Sequence, residues 1–156
     1  MSFRIAGLDP APFRPLYGLP DAELARHGVT RHVADRTPGF PDRVELRDLE
    51  PGETALLLNY EHQPADTPYR SRHAIFVREG AQQRWQGEVG EVPVLLRSRT
   101  LSVRAFDAGH LMVDAGVVDG REVEGLIERL LEDPRVAYLH AHYAGRGCFA
   151  ALVERA

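Results

Sequence analysis

Residues 101–154 read LSVRAFDAGHLMVDAGVVDGREVEGLIERLLEDPRVAYLHAHYAGRGCFAALVE, and the order of their periodicities decides the fold. Leu101–Phe106 alternates apolar with polar, Asp107-Ala-Gly109 turns and Leu111–Ala115 returns, the pattern of a β-hairpin. Gly120–Glu132 changes period: Val123, Leu126, Ile127, Leu130 and Leu131 form the i, i+3, i+4, i+7, i+8 stripe of a core-facing helix. Asp119 is placed to cap that helix, Pro134 stops it, and Glu122, Glu124, Glu128 and Glu132 give it a solvated outer side. Val136–Tyr143 and Cys148–Glu154 read as two further strands, joined by Ala144-Gly-Arg-Gly147, whose two glycines offer the positive φ of a tight hairpin. Hairpin, helix, hairpin predicts an α+β fold with a mainly antiparallel sheet, a few short helices and this one longer helix packed on it.

Upstream the signals are shorter. Phe3–Ala6 alternates, Asp21–Arg26 is a short helix opened by Pro20 and ended by Gly28, and Val29–Ala34 is a strand. Residues 35–53 carry Pro38-Gly39, Pro41 and Pro51-Gly52 and read as loop. Thr54–Tyr60 is the most apolar strand, so it is expected at the centre of a sheet with both faces buried. A polar loop His62–Arg72, a strand Ala74–Arg78, an irregular stretch 79–90 holding Trp85, and a short helix from Pro93 through Arg99 complete the chain. Trp85 reads as an anchor or a partner contact. No repeat or linker interrupts residues 1–156, which predicts a single domain.

Composition narrows the chemistry. All 19 basic residues are arginine, so Schiff-base lysine chemistry is excluded, and with it pyridoxal phosphate and the lysine-bearing phosphate loop. The single cysteine, Cys148, allows no disulfide framework and argues against an iron–sulfur cluster or a zinc finger. Neither a dinucleotide fingerprint nor a Gly-x-Ser-x-Gly or His-Glu-x-x-His motif occurs. A net charge of −4, with acids and bases evenly spread, gives no nucleic-acid footprint. The longest apolar run is Cys148–Val153, far short of a span, and the first ten residues lack a leader's apolar core, so a cytoplasmic protein without membrane contact is expected.

Several segments in order resemble one bacterial family of unknown function, the domain family numbered 1203. They are Pro38-Gly-Phe-Pro-Asp-Arg-Val-Glu-Leu46, Leu57-Leu-Asn-Tyr-Glu-His-Gln63, Pro68-Tyr-Arg70, Ala74-Ile-Phe-Val-Arg78, Leu101–Asp107 and Gly145-Arg-Gly-Cys-Phe-Ala150. The resemblance implies one domain over nearly the whole chain and no particular activity. It also implies a cysteine in many members where this chain has Asp42, so a thiol mechanism at that position cannot operate here.

Three constellations can carry chemistry. Tyr60, His62, Tyr69, Arg70, Arg72 and His73 crowd one Pro-bounded loop between strands, where arginine forks suit a carboxylate or phosphate. The alternative there is pairing of the arginines with Glu61 and Asp66. In Tyr138–Tyr143, strand alternation puts His140 and His142 on one face, within reach of one divalent metal, with His62, Glu61 or Asp114 as the third ligand. The alternative is a half-exposed histidine face. Cys148, beside Arg146 and two glycines, can serve as a nucleophile with His140 as base across the hairpin; the alternative is an inert core thiol. Arg104 and Asp114 are expected to pair across their hairpin. The leading expectation is a small anionic ligand held by the 60–73 loop. The others are a metal- or thiol-dependent enzyme using His140, His142 or Cys148, and a non-catalytic module forming a homodimer or larger homo-oligomer.

Overall fold

The computed structural model describes residues 2–156. Its strands are β1 (Phe3–Ala6), β2 (Thr30–Val33), β3 (Thr54–Gln63), β4 (Ser71–Arg78), β5 (Thr100–Asp107), β6 (Met112–Asp119), β7 (Val136–Tyr143) and β8 (Phe149–Arg155). Helices are α1 (Asp21–Arg26), α2 (Val94–Arg97) and α3 (Val123–Glu132), the last entered through a 3-10 turn at Gly120–Glu122. The strands form two antiparallel sheets, one ordered β1-β8-β7-β5-β6 and one ordered β2-β3-β4. The fold is α+β with mainly antiparallel pairing.

α3 covers one face of the five-stranded sheet. Val123, Ile127, Leu130 and Leu131 are buried there with Val103, Ala105 and Leu139, each helix side chain contributing about 1.5–3 kcal/mol. Asp119 caps the entry as its carboxylate accepts the Arg121 N–H at 2.9 Å, and the chain leaves helical geometry at Asp133, before Pro134. Gly120 is required for contact with α2, since a Cβ there would lie 1.9 Å from the Leu96 carbonyl oxygen.

β3 is the central strand of the second sheet, and its apolar run is buried on both sides. Leu56 and Leu58 pack with Phe13, Leu24, Ile75 and Val77, while Ala55 packs with Ala34, Phe40 and Leu49. The stretch 79–92 returns from β4 as a strap. Trp85 donates its N–H to Val44 and accepts from Gly7, and its ring packs on the larger core. That placement makes it an anchor of the fold. Among the described residues, no helix is long and apolar enough to cross a membrane.

Four local expectations are corrected. The loop expected over residues 62–72 is shorter: β3 runs to Gln63 and β4 begins at Ser71, leaving 64–70 as the connection, with a register shift between Tyr60 and Gln63, because inward-facing aromatic rings continue the sheet past its apolar centre. β6 extends to Asp119 rather than ending at Ala115. In the β7–β8 turn only Gly147 takes a positive φ, at 78°. Asp114 does not pair with Arg104; it lies opposite Ala105, on the α3 face, and meets Arg129 at 3.2 Å.

Candidate functional site

The face of the five-stranded sheet away from α3 carries Arg104 on β5 directly opposite His140 on β7, with Ser102 opposite His142. β8 adds Phe149, paired with His142. The far end of β3 lies over this surface: His62 stacks on Phe149, with ring centroids 5.3 Å apart and planes 7° apart. Its ring also meets those of His140 and His142 edge-on at 5.8 and 4.9 Å.

Three histidines from two sheets thus converge, and one ring nitrogen from each lies within 4.8 Å of the others. His140 is 5% exposed and His142 1%. Nδ1 of His62, Nδ1 of His140 and Nε2 of His142 are buried without a hydrogen-bond partner. The second nitrogen of His142 is engaged: Nδ1 lies 3.0 Å from the Gly147 carbonyl oxygen, so it carries the proton and leaves Nε2 as a free lone pair. Burial pushes His62 down to about 4 and His140 and His142 down to about 3, with Arg104 adding to each, so the rings are neutral near pH 7.

The other proposed third ligands do not join this cluster. Glu61 faces away from His62 and is engaged by Arg70 at 3.2 Å and Arg72 at 3.4 Å, which hold its carboxyl below the usual range. Asp114 is on the opposite face of its sheet.

A second site lies at the end of the same sheet, a cavity of about 600 Å³. Its walls come from the segment before β3, from β4, from the entry to β5 and from the β7–β8 turn, and bring Arg36, Arg43, Arg99, Arg146 and His73 around Tyr143 and Cys148. Arg99 is neutralised by Asp48, a two-pronged contact of 2.6 and 3.0 Å, and Arg36 meets Asp35 at 2.9 Å. Arg43 is 1% exposed and meets no carboxylate among the described residues. Its guanidinium donates to the carbonyls of Phe149 (2.9 Å) and Pro41 (2.6 Å) and to Cys148 Sγ (3.1 Å), and lies 5.0 Å from the Tyr143 ring centre. Burial pushes the Tyr143 phenol up to about 12, so it stays a donor, and its hydroxyl has no partner. Exposed Arg146 stands at the rim and forms no ion pair among the described residues.

The six residues first grouped in one loop are therefore divided. Tyr60 is half-buried between Phe13 and Phe149, and His62 belongs to the histidine cluster. Arg70 and Arg72, with side chains 56% exposed, flank Glu61. Tyr69 rests edge-on to Phe106, and His73 alone reaches the arginine-lined cavity. Cys148 faces that cavity while Phe149 faces the histidines, so Cys148 and His140 lie on opposite sides of the sheet and form no nucleophile–base pair. Asp42 is fully buried, accepting the N–H groups of Arg78 (2.7 Å) and Glu45 (2.5 Å), which makes it a backbone clamp. Arg43, Arg99 and Tyr143 escape sequence reading. The only hint is an arginine two residues after Pro41 in an otherwise loop-like segment.

The family model described as "Protein of unknown function (DUF1203)" matches residues 39–155. No curated protein and no solved structure matches the chain.

Proposed function

The chain belongs to the DUF1203 family of proteins of unknown function, and we propose that it binds a small anionic molecule in the arginine-lined cavity. The observation that carries this reading is Arg43, a fully buried guanidinium at the cavity with no carboxylate beside it. A buried cation without a counter-charge is costly, and a bound anion supplies that charge. Three of the five guanidinium N–H bonds are used, which leaves two for a ligand. Arg146 adds an exposed donor at the rim, and the Tyr143 hydroxyl adds a neutral one. A carboxylate or phosphate fits this donor set.

Thermal unfolding in inorganic phosphate, malonate and citrate tests it. A ligand at about 100 times its dissociation constant adds roughly 2.7 kcal/mol, on the order of 5–10 °C for a chain of this size. Arg146→Ala is expected to remove most of that shift. Arg70→Ala, on the outer side of the β3–β4 hairpin, is expected to leave it intact. The reverse pattern, or no shift with any of the three anions, overturns the assignment to this cavity.

A further inference from the structure

We infer that His62, His140 and His142 are the protein ligands of a divalent transition-metal ion whose remaining position takes an anion held against Arg104. This centre does not depend on the arginine-lined cavity, because Phe149 and Cys148 turn to opposite sides of the sheet.

The first argument is convergence. The histidines are far apart in sequence, yet β3 and β7 bring one nitrogen from each within 4.8 Å. A tetrahedral ion with bonds of about 2.0–2.1 Å holds its nitrogens roughly 3.4 Å apart, so closing the set takes ring movements of about an ångström.

The second argument is the state of the nitrogens. Two nearly inaccessible imidazoles each hold a nitrogen with no partner, and so does His62. Buried polar atoms are nearly always satisfied, and an unpaired one costs about 1–3 kcal/mol. An ion bound through these nitrogens would satisfy all three at once. The Gly147 carbonyl acts as an outer-sphere partner: it fixes the His142 tautomer and directs Nε2 inward, as carbonyls commonly do for metal-bound histidine.

The third argument concerns the fourth position. Three neutral imidazoles leave the ion's two positive charges uncompensated, and half-buried Arg104 adds another across from His140. Arg104 has one polar contact, Ser102 Oγ at 3.4 Å, and meets no carboxylate among the described residues. Such a site is stable only with an anion bound, and hydroxide or a carboxylate bridging metal and guanidinium meets the need. Three protein ligands with one exchangeable position is the arrangement of catalytic rather than structural zinc. All-imidazole donors favour zinc, copper, nickel, cobalt or iron(II) over magnesium or calcium.

The experiment uses the full chain, stripped with chelator and titrated with Zn²⁺ by calorimetry and with Co²⁺ by visible absorption. One equivalent is expected to bind, with the intense visible bands of tetrahedral Co²⁺. His62→Ala, the half-exposed member and so the one least needed for folding, is expected to weaken binding by more than about 100-fold, beyond the loss typical of an outer-sphere partner. Azide is expected to alter the Co²⁺ bands of the unmodified chain. In Arg104→Gln the metal still binds and the azide response is lost or weakened at least tenfold. Unchanged affinity in a folded His62→Ala chain, or no binding by the unmodified chain, overturns the metal centre. An azide response that survives Arg104→Gln at full affinity overturns the role given to Arg104.

Discussion

At the scale of single residues, burial decides which arginine matters. Arg43 and Arg70 are the same side chain, but one is enclosed among carbonyls and the other is 56% exposed beside Glu61. Arg43→Met leaves the Pro41 and Phe149 carbonyls without a donor, so urea unfolding is expected to show a loss of roughly 2–5 kcal/mol. Arg70→Ala is expected to change stability by less than about 1 kcal/mol, as for most exposed pairs. Glu53 carries a pH signature. The Arg47 fork, at 2.7 and 2.6 Å, holds its carboxyl at about 2, below an ordinary 4.5. A depressed folded value means stability that is present above about pH 4.5 and lost as pH falls toward 2. The stability gap between the unmodified chain and Glu53→Gln, read from urea midpoints, is therefore expected to stay level from about pH 6 to about pH 5 and to narrow from there toward about pH 2.5. A constant gap would show that the fork contributes no protonation-linked stability.

At the scale of elements, local periodicity carried the reading where one face is apolar. The stripe on α3 and the alternation of β5, β7 and β8 were legible because each pattern maps directly onto a buried face. The strands of the β3–β4 hairpin are longer than their sequence suggests because the inward side chains beyond Leu58 are Tyr60 and His62, which look hydrophilic in sequence and are covered only by the other sheet. The same blindness hid the arginine-lined cavity, whose walls are assembled from segments more than 100 residues apart. Strand alternation alone placed His140 and His142 side by side, whereas the approach of His62 depends on how two sheets stack. Close packing between elements gives its own forecast. Gly120→Ala drives a methyl into the Leu96 backbone and is expected to cost about 3 kcal/mol or more by thermal or urea unfolding. Gly116→Ala meets only side-chain tips, Leu126 at 2.9 Å and Arg129 at 3.5 Å, and is expected to cost clearly less.

At the scale of the whole molecule, the start of β8 separates two chemistries, with Cys148 toward the cavity and Phe149 toward the histidines. If these are two sites, perturbations should not cross. His62→Ala is expected to leave the phosphate-induced rise in melting temperature within error of the unmodified chain. Arg146→Ala, which removes neither the Phe149 nor the Gly147 contact between the two sides, is expected to leave Co²⁺ affinity unchanged within about twofold. Strong cross-effects in either direction would make them one site.

Trp85 gives the molecule an optical handle. It is the chain's only indole, and it is tied by its own backbone to Val44 on one side and Gly7 on the other. Its emission therefore reports one seam, where the strap joins the end of β1 to the segment that leads into β3. Fraying there would redden the fluorescence before the sheets themselves part, so a comparison of emission with circular dichroism would time the opening of this clasp against the collapse of the rest.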